Sequence, residues 1–352
     1  TGVVAINLHI DPTKTTVIEG NGAAIASVTD DFDGDLRASY TPTDIGADCG
    51  LFLGLDLTGP AIAYTALGNS TGTTSATLTA SITDFSGVPT AGIGLPVIYF
   101  RKGTTGAFTG TQCSYVSGSS YSCLMTYSLV GGVVVGDRIQ YYVAAQDGAS
   151  PANVSVNPSS GAAGPSANPP AVSTPPTAPS SYLIAGAYSG TKTVCASGCD
   201  FDSLTNANGL FDRINNGVLT GSLLAEITGD LTAETGAIAL NQIAEEGAGG
   251  YTLTIVPVGA PRVVSGSLAS GALVKLNGAD RVTIDGSIGG AGTDRSLTIR
   301  NTATTAPTAV ALVSLGTGLG ATYDTIKNCN VSTGIATTAG YGIAIGGATP
   351  GT

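Results

Sequence analysis

The sequence predicts an all-β chain in which right-handed parallel β-helix segments flank a β-sandwich, with one α-helix as a cap. Three observations carry that prediction. Short alternating apolar and polar runs recur along the chain, bounded by Gly, Asn, Asp and Pro. Residues 272–301, ALVKLNGADRVTIDGSIGGAGTDRSLTIRN, hold three such runs, at 273–276, 281–285 and 297–300. Each is too short to bury a sheet face unless it stacks on copies of itself, the signature of a solenoid. Only 202–216, DSLTNANGLFDRINN, has a convincing helical period.

Composition bounds the rest. Of 352 residues, 51 are Gly and 17 Pro, yet 42 % are hydrophobic and 11 % charged, which is turn-dense β protein rather than disorder. A net charge of −11 argues against a nucleic-acid partner, which needs clustered Lys and Arg. No apolar run approaches the ~18 residues of a membrane span. The chain opens on Thr1 with no signal peptide, the expectation for a processed product or a segment of a longer protein.

Taken in order, residues 1–56 combine the run VVAINLHI with AAIASVT, the acidic DDFDGDLR and TDIGADCG. They read as the C-terminal end of a β-helix. Residues 57–150 hold six strand-like segments, at 61–67, 76–84, 96–102, 108–116, 120–129 and 137–147. That spacing predicts an immunoglobulin-like sandwich, here without a core Trp. Residues 151–186, rich in Pro, Ser and Ala, read as a linker or a strap along the sandwich, with SYLIAG as a candidate last edge strand. Residues 187–352 read as the N-terminal part of a second β-helix. Its helix, 202–216, is N-capped by Asp202 or Ser203 and covers the open end. Three coils follow: 223–228, 237–243 and 252–258; then the three runs of 272–301; then 310–315, 324–330 and 341–347. The pairs Ile284/Ile326, Ile299/Ile345 and Ile255/Ile299 fall at nearly equal spacings, as positions one coil apart should. Asn328 and Asn330 suit a turn with a stacked amide ladder.

Six cysteines suggest an oxidising compartment. Cys113 and Cys123 are symmetric about Gly118, as are Tyr115 and Tyr121, so a hairpin places the two thiols opposite each other for a cross-strand disulfide; two reduced thiols on one strand face are the alternative. Cys195 and Cys199 can close a short loop, with a CxxxC metal site as the alternative although no His is near. Cys49 and Cys329 are lone thiols or pair with something outside the chain.

Among acidic residues, Asp30, Asp31, Asp33 and Asp35 surround Gly34. Calcium takes 6–8 oxygens, and Asp31, Asp33, Asp35 and Asp44 form the candidate calcium set, with Asp48 as another closing ligand. A solvated Asp-Gly turn is the plain reading. His9 is the only histidine, which excludes a multi-His metal site and a His-based triad drawing on any other histidine of the segment. We identify no catalytic constellation. Sequons occur at Asn69, Asn153 and Asn330.

GALVKLNGADRVTIDGS and ATYDTIKNCNVS resemble the β-helix repeats of giant secreted surface proteins of environmental bacteria, which share the pectate-lyase-like fold. DDFDGDLR followed by TDIGADCG resembles the terminal segment of such a helix, with Cys49-Gly50 where an acidic-aromatic pair is common. GVPTAGIGLPVIYFRK and GDRIQYYVAAQD resemble the immunoglobulin-like module that follows it. The pectin-degrading members carry GHG or Arg-Ile-Lys motifs, and neither occurs here. The resemblance implies an extracellular, adhesive fibre segment without catalysis, assembled head-to-tail with neighbouring copies of itself. The alternative is a β-helix that binds or processes surface polysaccharide.

Overall fold

Apolar side chains alternate along the strands of the C-terminal half, and each strand buries one row of them by stacking on the strand one turn earlier. The computed structural model describes residues 9–335 and 340–347. Its first parallel sheet orders Ala187–Val194, Val218–Ile227, Leu253–Pro257, Val282–Asp285 and Thr325–Lys327. A second orders Arg262–Gly266, Leu297–Asn301 and Cys329–Thr333, and a third Ser270–Asn277, Ala306–Val313 and Tyr341–Gly346. Five stacked strands in the first sheet make this a parallel β-solenoid of five turns. Leu223, Leu253, Ile255, Val282, Ile284, Leu297 and Ile299 share its buried interior. At the corner between the last two turns the backbone passes so close that a Cβ on Gly286 would lie 1.9 Å from the Asn328 carbonyl.

The strand-to-turn assignment differs from the sequence expectation in five places. Ile255 pairs with Ile284 rather than Ile299, and Ile345 pairs with Leu312 rather than Ile299. Arg262–Gly266 is a strand that the coil alignment passed over, and 237–243 contributes only the bridge Leu240↔Leu276. Residues 329–333 are the second-sheet strand of the last turn, paired with 297–301. The reason is loop length. Asn328 alone separates two strands of the last turn, whereas the whole stretch 314–324 lies between the strands before it. Corners so unequal make the repeat irregular, and equal spacing is then a poor guide to register. The amide ladder also moves: Asn277 donates to Asn241 at 2.8 Å, whereas Asn328 donates to Asp285 and Asn330 to the Arg295 carbonyl.

The helix is shorter than 202–216. It spans Leu210–Asn215 with Gly209 as N-cap. Asn208, at a left-handed φ of 63°, breaks the helical run before Gly209, and the buried Glu234 carboxylate accepts the Leu204 and Thr205 N–H groups of the non-helical stretch, at 2.9 and 2.6 Å. Leu210, Phe211 and Ile214 are buried and join the solenoid core, closing its first turn.

Between residues 61 and 183 the strands are antiparallel. One sheet orders Val154–Asn157, Arg138–Gln146, Val97–Lys102 and Thr109–Gln112, with Ser180–Leu183 also paired to the long strand. The other orders Ala61–Ala63, Ser75–Thr83, Ser120–Thr126 and Ser114–Ser117. Both sheets feed one buried cluster that includes Leu78, Phe100, Tyr121, Met125 and Tyr141. Tyrosines take the large core positions, and the Tyr127 and Tyr182 hydroxyls meet at 2.6 Å, so each buried hydroxyl oxygen has a hydrogen-bond partner. The Pro-rich stretch folds back as a hairpin, Ala163–Ser166 with Ala171–Thr174. Its Pro170 carbonyl accepts the Tyr99 hydroxyl at 3.1 Å. The two units are tied by Glu246, whose carboxylate accepts Ser70 Oγ at 2.7 Å and Thr71 N at 3.1 Å.

Residues 9–56 contain little regular structure. Within them Thr15–Thr16 pairs in parallel with Leu53–Gly54.

Candidate functional site

Two regions hold the chemistry that the sequence singles out: the acidic segment 9–56 and the last turn of the solenoid.

In the acidic segment, Asp31 Oδ1 accepts the backbone N–H groups of Asp33, Gly34 and Asp35 at 2.9–3.1 Å, and Oδ2 accepts Cys49 N at 3.1 Å. The local reason is the Asp-x-Asp-Gly-Asp order. Gly34 takes a positive φ of 97°, which turns three successive N–H groups toward one carboxylate. Desolvation opposes the charge on Asp31, but these bonds and one with Asp33 outweigh it and hold Asp31 below the ordinary carboxylate range. Asp33 is raised by its hydrogen bond with Asp31, then by desolvation and by the Asp31 charge. Asp31, Asp33 and Asp35 bring carboxylate oxygens together, while Asp44 is spent elsewhere. Its Oδ1 accepts Gly20 N at 2.7 Å and its Oδ2 Gly50 N at 3.1 Å. Asp48 accepts Ile10 N at 2.6 Å. The carboxylates here act chiefly as anchors for backbone that has no sheet to join. His9 lies between two of them, 3.6 Å from Asp33 and 3.5 Å from Asp48.

A second acidic group, Asp56, Asp84 and Asp147, was not visible in the sequence because its members come from three separate loops. Each is followed by turn residues that it caps: Asp56 accepts Thr58 N, Asp84 accepts Ser86 N, and buried Asp147 accepts Ala149 N and Asn153 N. The only sequence signal is that shared Asp-x-Ser/Thr/Ala pattern, which marks a turn rather than a site.

The cysteines pair as the symmetric spacing suggests. Cys113 and Cys123 form a disulfide across strands in which Tyr115 faces Tyr121. Gly118, at φ 56°, makes the turn. Cys195 and Cys199 close the short loop with a second disulfide. Cys49 and Cys329 are free thiols. Burial, with Asp31 beside the first and Asp285 beside the second, pushes each up to about 11. Both are therefore neutral thiols at pH 7, and a neutral thiol is a poor nucleophile.

The last turn is the other region. Among the described residues, its three strands, Thr325–Lys327, Cys329–Thr333 and Tyr341–Gly346, each pair on one side only. Ile343 and Ile345, in register with Val310 and Leu312 of the interior row, are 45 % and 78 % exposed. Buried Asp285 fastens this turn to the previous one, accepting from Ser287 and Asn328 and pairing with Lys327 at 3.0 Å. Against its own desolvation, those partners lower it to about 2. Asp324 sits one step before the paired strand, with Oδ1 accepting Val282 N at 2.8 Å and Oδ2 buried without a partner. Burial pushes it up to about 6.

No helix among the described residues is long and apolar enough to cross a membrane. No protein-family model matches the chain, and no curated protein is significantly similar to it.

Proposed function

We propose that this chain is a structural segment of an extracellular surface fibre, extended by stacking of β-helix coils and without catalysis of its own. The observation that supports this most is the asymmetry of the solenoid. Its first turn is closed by Leu210, Phe211 and Ile214, whereas its last turn presents three one-sided strands and exposed Ile343 and Ile345. Such an edge is a template for further strands. A contact between unlike ends propagates instead of closing. Two disulfides fit an oxidising, extracytoplasmic setting. The finer parts of the reading belong to the same proposal: a right-handed, pectate-lyase-like helix, an immunoglobulin-like module over residues 57–150 with the 151–186 strap beside it, and an adhesive role on a bacterial surface.

Electron microscopy and sedimentation of the purified chain over a concentration series test it. Filaments or a ladder of growing species are expected. A monodisperse monomer that instead binds acidic polysaccharide favours a carbohydrate-binding β-helix. Calcium, in this reading, is a stabiliser held by Asp31, Asp33 and Asp35. A rise in Tm with CaCl2 that Asp33→Asn abolishes is expected, and an unchanged Tm refutes it.

A further inference from the structure

Another surface that leaves apolar side chains uncovered lies toward the opposite end of the chain. Residues 21–46 line a groove of about 840 Å3. Its walls include Ile25, Val28, Leu36 and Ile45, with Ile25 and Leu36 62 % and 61 % exposed. Folded chains seldom leave so much large aliphatic surface uncovered in so short a segment.

We propose that this groove is the acceptor for the open solenoid end of a second copy, so that the strands Thr325–Lys327, Cys329–Thr333 and Tyr341–Gly346 of one molecule stack on the coil 15–54 of the next. This rests on the fibre reading above and names its partner surface.

Four observations support that occupant. The first is size. Thr15–Thr16 and Leu53–Gly54 pair in parallel, and the chain joining them is longer than the stretch from Ile255 to its partner Ile284 and shorter than that from Ile284 to its partner Ile326. Coil 15–54 therefore has the length and sense of one solenoid turn. The second is direction. Among the described residues Thr15–Thr16 is paired only to the later strand, leaving the edge that an earlier turn would fill, whereas Thr325–Lys327 leaves the edge that a later turn would fill. Thirdly, both surfaces are apolar at the centre, Ile343 and Ile345 on one and Ile25 and Leu36 on the other. Fourthly, the segment 21–46 is acidic, with Asp30, Asp31, Asp33, Asp35 and Asp44 against the single cation Arg37, and exposed Arg295 and Arg300 lie on the turn before the open one. The capped first turn cannot serve as acceptor, because its cap side chains are already buried in the core.

The test places the photo-crosslinker p-benzoylphenylalanine at Ile345 in the full chain and mixes it with 15N-labelled wild type. Inter-copy adducts mapping to residues 21–46 are expected, and Leu36→Asp in the labelled partner should nearly abolish them without changing its Tm. Association with adducts concentrated elsewhere overturns this assignment and leaves the fibre reading standing. Absence of association at every concentration overturns both.

Discussion

Replacing Ile343 and Ile345 together by Lys should abolish extension while leaving the chain folded. Complete burial of an Ile side chain is worth about 1.5–3 kcal/mol. With 45 % and 78 % of the two residues still exposed, a stacked turn would bury a little more than one further side chain, about 2–4 kcal/mol. That is roughly a 30- to 900-fold weakening of Kd from lost burial alone. A Lys pointing into a closed interior adds the cost of stripping water from its ammonium group. The isolated chain should hardly notice, since neither position is buried and surface substitutions usually fall within about 0.5 kcal/mol. Sedimentation velocity across a concentration series reads the association, and thermal unfolding of the same samples reads the fold. Unchanged association in a variant of unchanged Tm would refute the argument, because the open turn would then not be the contact.

Other outcomes follow from particular side chains. Phe211→Ala, at a fully buried position in the cap, should cost about 3–5 kcal/mol in urea unfolding; a smaller loss would mean that the cap does not close the solenoid core. Removing the Cys113–Cys123 bridge, which closes 10 residues, should cost about 2.7 kcal/mol, and removing Cys195–Cys199, which closes 4, about 2 kcal/mol; equilibrium unfolding of the Cys→Ser pairs measures both. Asp324 makes the last turn pH-sensitive. Its folded pKa is raised from 3.8 to about 6, so its stabilising contribution is complete below pH ~4 and is lost as pH rises through ~6. Wild type should therefore lose stability from pH 4 to 7 relative to Asp324→Asn, and parallel pH profiles would contradict this. Glu246 has the opposite sign. Hydrogen bonds from Thr71 and Ser70 lower its pKa, so its hold on residues 70 and 71 is present above the ordinary Glu value of 4.5 and is lost as pH falls through the lowered one. Protection of the Thr71 amide against hydrogen exchange, relative to its intrinsic rate at each pH, should fall in acid, and Glu246→Ala should show the low protection already at pH 7.

Local chemistry determined much of this protein. Alternation made Ile284 and Ile299 interior residues, and both are buried. The symmetry of Cys113, Tyr115, Tyr121 and Cys123 about Gly118 is enough to pair them, because a tight turn links neighbours in sequence with no help from elsewhere. Whatever depended on distant partners was decided by the tertiary structure. Ile345 stacks on Leu312 rather than on Ile299, since unequal corners erase the spacing that would mark register. The helix begins at Leu210 because Asn208, just before the Gly209 cap, takes a left-handed φ of 63° that a helix interior does not hold, and Glu234, far along the chain, satisfies the Leu204 and Thr205 N–H groups of the stretch left outside the helix. Asp44 leaves the calcium set for the same kind of reason: Gly20 and Gly50 claim its oxygens. The sequence specified strands, turns and two short-range disulfides through neighbours close along the chain. Which strand covers which, and which turn remains uncovered, is set by contacts between strands a whole solenoid turn apart, such as Ile255 on Ile284 and Ile284 on Ile326, where only the folded path brings the partners together.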